Sequence, residues 1–164
     1  MRGAFRERTQ EYLGDPETLD SVLAKGEAKR AGYEEGILLD DLGHVCEGTG
    51  ENVFIVKDGV LVTPPQTASI LNGISRASIM EIARDKGHTV IERDIARAEL
   101  VLADEVFLVG TAAELTPVRE IDDIAIGPPG EVTRDIQATY DDALCGRIER
   151  YAKWLDLVPI PSKA

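Results

Sequence analysis

VCEGTGENVFIVKDG, residues 45–59, is the stretch that decides how this chain folds. Val53 to Val56 form an apolar run too short for a helix, closed on one side by Gly48 and Gly50 and on the other by Asp58-Gly59. An Asp-Gly pair between two apolar runs supplies the positive φ angles of a two-residue hairpin turn, so NVFIVKDGVLVTP, residues 52–64, reads as two antiparallel strands. Two carboxylates, Glu47 and Glu51, with Asn52, stand where the loop passes into the sheet. Their purpose is the question this stretch raises.

Working outward, GILLDDLGHVCEG reads as two short strands about a turn at Asp41 to Gly43. Upstream, Pro16 to Ala31 reads as a helix with Asp15 as its cap and Leu19, Val22, Leu23 and Ala24 on its apolar side. Downstream, a helix over Ser75 to Lys86 turns Ile79, Ile82 and Ala83 inward and stops at Gly87. HTVIERDI then alternates as a strand and ARAELVLA reads as a short helix. DEVFLVGTAAELTPV carries the apolar run of a central strand followed by a small-residue loop, and REIDDIAIG returns as a weaker strand or hairpin. The last helix is expected over Glu131 to Leu157, with Ile136, Tyr140, Leu144, Ile148 and Tyr151 at spacings of three or four. Strands and helices mix without strict alternation, so the expected class is α+β with a mixed, curved sheet and flanking helices.

The length of 164 residues suits one domain. A formal charge of −12 with no basic run argues against a nucleic-acid binder, whose phosphate contacts need a concentrated basic face. No apolar stretch approaches the roughly 20 residues of a membrane span, and MRGAFRERTQEY lacks the apolar centre of a secretory signal, so a cytoplasmic protein is expected. Cys46 and Cys145 are too far apart for a metal knuckle and read as reduced packing residues, with no metal site expected. His44 and His88 follow turn glycines and read as surface turn residues.

Three loops join strand-like sequence to glycine or small residues: CEGTGEN, LNGISR and GTAAELTP. Gly73 and Ser75 open a helix, and a helix N-terminus with free N–H groups, a hydroxyl and Arg76 beside it suits a phosphate. Alone, the same residues are an ordinary cap. Thr111, followed by Ala112 and Ala113, offers a hydroxyl and unobstructed N–H groups to an anion, or simply a tight loop.

In their order and separations, EGILLDDLGHVCEGTGENVFIVKDGVLVTPPQTASILNGISRASIMEIA and ADEVFLVGTAAELTPVREID resemble the class IV aminotransferases, within them the branched-chain amino acid aminotransferases. GTAAELTPV favours that branch over the lyases and D-amino acid transaminases. The resemblance spans roughly Ser21 to Val158, leaving residues 1–20 as a lead segment outside it and 159–164 as a tail. It implies the cofactor-binding large domain of a fold-type IV protein, pyridoxal 5'-phosphate as cofactor, and amino transfer between branched-chain L-amino acids and 2-oxoglutarate. It also implies Glu47 facing the pyridine nitrogen, Gly73, Ile74, Ser75 and Thr111 at the phosphate, and the Thr111-Ala112 backbone at the substrate carboxylate. Glu51 and Asn52 are expected to support the loop, because a second ionised carboxylate at the ring would be costly once desolvated.

The resemblance puts the family's cofactor-bearing lysine at Leu13, eight residues before Ser21, and the tyrosine that holds the cofactor's phenolic oxygen at Thr18. None of the six lysines (Lys25, Lys29, Lys57, Lys86, Lys153, Lys163) matches that position, so no catalytic residue and no covalent attachment are expected. The resemblance also implies that the family's preceding domain is expected to be missing from this chain. A truncated aminotransferase, pairing with itself or with a complementary half, is therefore expected; the alternative is a catalytically silent binding or assembly module.

Overall fold

The strand Asn52–Lys57 (β4) sits at the branch point of the sheet, and its neighbours explain why residues 45–59 weigh so heavily. The computed structural model describes residues 2–7 and 16–156, with side chains from residue 19 onward. Element order is β1 (Arg2–Glu7), α1 (Pro16–Arg30), β2 (Glu35–Leu39), β3 (Val45–Gly48), β4, β5 (Val60–Thr63), α2 (Ile74–Asp85), β6 (Val90–Glu92), α3 (Arg97–Leu102), β7 (Glu105–Gly110), β8 (Glu114–Pro117), β9 (Glu120–Ile121), β10 (Ile124–Ala125) and α4 (Glu131–Leu144). Along one edge β4 pairs antiparallel with β7, Phe54 opposite Phe107. Its other edge is divided: Asn52 pairs with Glu47 of β3, and Ile55 to Lys57 pair with β5. The sheet continues from β3 through β2, β1 and β9 to β10, and from β5 to β6, mixing parallel and antiparallel pairs. The expected α+β class with a mixed sheet is what the chain adopts. Asp58 and Gly59 both have positive φ, as the hairpin turn requires.

Both faces of the central strands are covered, which is why their sequences run apolar without alternation. Phe54 and Val56, with Phe107 and Val109, pack beneath Ile79, Ile82 and Ala83 of α2 and Ile136, Tyr140 and Ala143 of α4. Val53, Ile55, Val106 and Leu108 point the other way, onto Leu100 of α3, Ile37, Leu39, Val45 and Ile121. A smaller cluster of Ala24, Leu38 and Cys46 seats α1 on β2 and β3.

Four sequence expectations change. α1 buries Asp20, Ala24 and Ala28, while Val22 is 62 % exposed and Leu23 sits at the surface. Small side chains at i, i+4 and i+8 let the helix approach the sheet closely, and the larger ones fall beside that contact. α4 ends at Leu144 rather than Leu157, because Gly146 takes φ 69° and the chain turns back into a 3-10 segment, Glu149–Trp154. That return lays Tyr151 on Trp154 and sends the Tyr151 hydroxyl to Asp85 Oδ2 at 2.9 Å, contacts that a straight helix could not make. Cys145 is exposed at the end of α4, so only Cys46 is a packing residue. Finally, Glu114–Pro117, expected as loop, is a strand on β7, reached through the tight turn of Thr111 to Ala113. Both histidines do lie at turns, but each meets a carboxylate: His44 Nδ1 with Asp40 Oδ2 at 3.2 Å, His88 Nε2 with Asp135 Oδ2 at 3.1 Å.

Glu105 of β7 caps α4: its carboxylate accepts the N–H groups of Val132 (3.2 Å) and Thr133 (2.8 Å). The Thr133 hydroxyl itself is fully buried with no hydrogen-bond partner. Replacing that hydroxyl with a methyl of the same shape removes a desolvation cost without leaving a hole. Thr133→Val is therefore expected to raise stability by up to about 1 kcal/mol, read as the thermal unfolding midpoint; a loss of similar size would show that the hydroxyl has a partner in solution.

Candidate functional site

The turn Gly48 to Glu51, closed by the Gly48 N–H to the Glu51 carbonyl at 2.6 Å, brings the ends of β3 and β4 beside three other segments. These are the N-terminus of α2, the end of β7 at Val109 to Thr111, and the flank of α1. Together they line a cavity of about 540 Å³, a size that suits a small-molecule ligand. Glu47, Gly73, Ile74, Ser75 and Thr111, far apart in sequence, all line it. Ala112 lies one residue past Thr111 in the exposed turn and is not part of the lining.

The carboxylate of Glu47 is almost wholly buried, and its Oε2 accepts the N–H of Leu71 at 2.8 Å. Asn52, paired with Glu47 across β3 and β4, donates its Nδ2 to the Leu71 carbonyl at 3.0 Å. Both peptide groups of Leu71, in the loop ahead of α2, are thus gripped from the sheet, so Asn52 acts on that loop and not only on the turn from which it springs. The approach is close enough to demand glycine: a Cβ on Gly73 would stand 2.3 Å from Asn52 Oδ1, and one on Gly110 would stand 3.0 Å from the Gly50 carbonyl.

α2 begins without a capping side chain and with no acidic residue in its first turn. Gly73, Ile74 and Ser75 at that end line the cavity, which places the positive end of the helix dipole and uncapped N–H groups beside it, next to the nearly buried Ser75 hydroxyl. The expected contribution of Arg76 is corrected. Its guanidinium is 3 % exposed and turns inward, donating to the Pro64 carbonyl at 2.8 Å, Glu92 Oε2 at 2.8 Å and Thr63 Oγ1 at 3.3 Å. Three acceptors at the ends of β5 and β6 outcompete the cavity for it.

Behind the cavity wall, in contact with the lining residues Lys25 and Thr49, lies a buried carboxylate that the sequence pattern did not single out. Glu35 at the start of β2 is 1 % exposed and accepts from Lys25, from the Thr49 hydroxyl and from the Gly36 N–H (2.8 Å). Burial acts to raise its pKa, but the Lys25 ammonium, the Thr49 hydroxyl and the Gly36 N–H outweigh it and hold the carboxyl below its ordinary range. Glu51 takes the opposite course. Burial, then the charge and hydrogen bond of neighbouring Glu35, push it up to about 7, against the lesser pull of Lys25 and the Gly50 N–H. The negative charge stays on Glu35, and Glu51 holds its proton up to about pH 7, because burial and the neighbouring charge oppose its ionisation. The only sequence signal was the i, i+4 placement of Ser21 and Lys25 on one side of α1; nothing local tied either to Glu35.

Because the Glu51 pKa lies above its unfolded value, the folded state binds that proton more tightly. Its stability contribution is complete below the ordinary carboxyl pKa of 4.5 and is lost as pH rises through about 7. Glu51→Gln, a permanent mimic of the protonated form, is expected to be more stable than the parent at pH 8 by on the order of 2 kcal/mol, and equal to it near pH 4.5. Urea unfolding at the two pH values checks this; a pH-independent difference would refute it.

Leu13, the residue at the family's lysine position, lies outside the described residues, as does the side chain of Thr18. No helix among the described residues is long and apolar enough to cross a membrane.

The family model for class IV amino-transferases matches residues 11–121. The chain is 50 % identical over 142 residues to the branched-chain-amino-acid aminotransferase of Escherichia coli strain K12, a match covering 85 % of this chain and 46 % of that protein. It is 49 % identical over 140 residues to the probable branched-chain-amino-acid aminotransferase of Aquifex aeolicus, covering 84 % of this chain and 45 % of that protein. Among solved structures, the branched-chain aminotransferase of Thermoproteus uzoniensis with norvaline superposes with a TM-score of 0.88 at 42 % identity, over 94 % of this chain and 55 % of the other. The branched-chain amino acid aminotransferase of Thermobaculum terrenum, in a mutant form, gives 0.87 at 38 % identity, over 94 % and 55 %. The chain thus spans about half the length of the relatives it matches.

Proposed function

The chain belongs to the class IV aminotransferases, and from that premise we propose that it is the cofactor-binding part of a branched-chain amino acid aminotransferase, with pyridoxal 5'-phosphate as cofactor. The observation that carries this reading is the pairing, in one cavity, of an uncapped helix N-terminus with a buried carboxylate. Such a cavity fits a ligand with a phosphate at one end and a protonated ring nitrogen at the other. In this reading the leading N–H groups of α2, the Ser75 hydroxyl and the Thr111 hydroxyl hold the phosphate, and Glu47 holds the ring nitrogen protonated. When bound, the cofactor supplies an electron sink for the amino acid's α-carbon. The Thr111-Ala112 backbone, at the end of β7, receives the carboxylate of a branched-chain amino acid or of 2-oxoglutarate. These contacts are all non-covalent, and Leu13 at the family's lysine position adds no covalent one.

Leu13 also favours a second reading, a binding or assembly module that keeps the fold without turnover. Val22, Leu71 and Ile74, which line the cavity, are 62, 66 and 85 % exposed. Apolar exposure of this kind calls for a covering partner, a second copy of this chain or a complementary half.

Titration with pyridoxamine phosphate, which has no aldehyde for an amine to capture, tests the site apart from turnover. Affinity in the high micromolar to millimolar range is expected, given the loss of the family's tyrosine contact at Thr18. Ser75→Ala combined with Thr111→Ala is expected to lose roughly tenfold or more, because each hydroxyl contact to a charged group is worth about 1.5 kcal/mol. Glu47→Ala is expected to weaken binding only at pH values where the ring nitrogen is protonated. Unchanged affinity in the double variant would remove the phosphate assignment; a pH-independent effect of Glu47→Ala would remove the ring-nitrogen assignment.

A further inference from the structure

Lys25 stands one turn after Ser21 on α1, and both residues line the cavity that also contains Glu47, Ser75 and Thr111. It is the one lysine in that lining among the described residues. Lys57, Lys86 and Lys153 are paired with Asp104, Asp135 and Glu81, away from the cavity, and Lys29 is exposed on α1. The Lys25 ammonium touches the buried Glu35 carboxylate, with the Glu51 carboxyl beside it. An amine is therefore present in the cavity although the matched sequence position carries Leu13.

We propose that Lys25 is the amine through which this chain captures a phosphorylated aromatic aldehyde held at the α2 N-terminus. This rests on the cofactor-site reading above and adds to it a covalent step at a residue that sequence matching passed over. The ammonium first gives one proton to solvent at the cavity mouth, while Glu35, held below its ordinary range, stays ionised. The freed nitrogen lone pair attacks the aldehyde carbon, and the carbonyl oxygen leaves as water with the two remaining nitrogen protons as the carbon–nitrogen double bond forms. That nitrogen then takes one proton back from solvent, so a cationic nitrogen again faces the anionic Glu35 carboxylate. No electrons are exchanged and no net charge is created in the cavity.

The experiment is borohydride trapping of the full chain with pyridoxal 5'-phosphate, followed by peptide mass mapping, run beside the pyridoxamine phosphate titration. Label is expected on Lys25 about tenfold above any other lysine, since a bound aldehyde sees a held amine at raised effective concentration. It should fall when pyridoxamine phosphate competes and in the Ser75→Ala, Thr111→Ala variant. Lys25→Arg keeps a cation against Glu35 and should leave only scattered label, while still binding pyridoxamine phosphate. Label spread over the exposed lysines, in a chain that binds pyridoxamine phosphate normally, overturns the Lys25 assignment and leaves the cofactor site standing. Failure to bind pyridoxamine phosphate at all overturns both.

Discussion

Arg76→Ala is expected to lower the unfolding free energy by roughly 3 kcal/mol while leaving ligand affinity in the folded fraction close to that of the parent. Breaking a buried pair typically costs about 3 to 5 kcal/mol, and the lower end applies because Glu92 is 37 % exposed and can regain water once its partner is gone. The Pro64 carbonyl loses its guanidinium donor as well. Through those bonds Arg76 ties the first turn of α2 to β5 and β6, so it positions the helix whose N-terminus forms the cradle. Urea unfolding and pyridoxamine phosphate titration give the two readouts. Arg76→Met, which keeps the packed stem, is expected to lose less stability. If the Met variant folds but no longer binds the ligand, Arg76 belongs in the phosphate site after all.

Phe107→Ala is expected to cost about 4 kcal/mol, a substantial share of the roughly 5–15 kcal/mol that holds a domain of this size together. Phe107 is fully buried, faces Phe54 across β4 and β7, and stacks on it with ring centroids 5.1 Å apart and planes inclined by 10°. The two rings lie in the cluster onto which α2 and α4 pack, so the lost volume opens beneath the helix that carries the site. Phe107→Leu keeps most of that volume and is expected to cost about 1–1.5 kcal/mol. A loss for the Ala variant below about 1 kcal/mol, from the denaturant midpoint with unchanged slope, would mean that the helix layer collapses to fill the space.

Where a structural feature depends on residues within a turn or two of each other, the sequence alone was enough to read it. Asp58-Gly59 demanded a hairpin, the continuous apolar strands demanded a sheet covered on both faces, and Ile79, Ile82 and Ala83 marked the inner side of α2. The candidate ligand residues followed from their order and spacing, through resemblance to a family. The helix end expected at Leu157 failed because it depends on more than local spacing: residues 148–155 keep a helical apolar pattern, but a glycine conformation at Gly146 and the reach of Tyr151 to Asp85 outweigh it.

By itself, then, the sequence determined the strands, the hairpin, the loop that must be glycine-rich and the family to which the chain belongs, because backbone sterics and apolar periodicity act locally. Only the tertiary structure decided what the charged side chains do. Arg76, read as a ligand contact, is drawn inward by acceptors at the ends of β5 and β6; Glu47 and Asn52 hold Leu71 from adjacent strands; Lys25 and Glu51, which line the cavity, meet the buried Glu35 behind it from α1 and the β3–β4 turn. A charge takes whichever partner the fold brings within a few ångströms, since desolvation forbids it to remain unpaired, and that partner is set by packing between elements that no local pattern encodes.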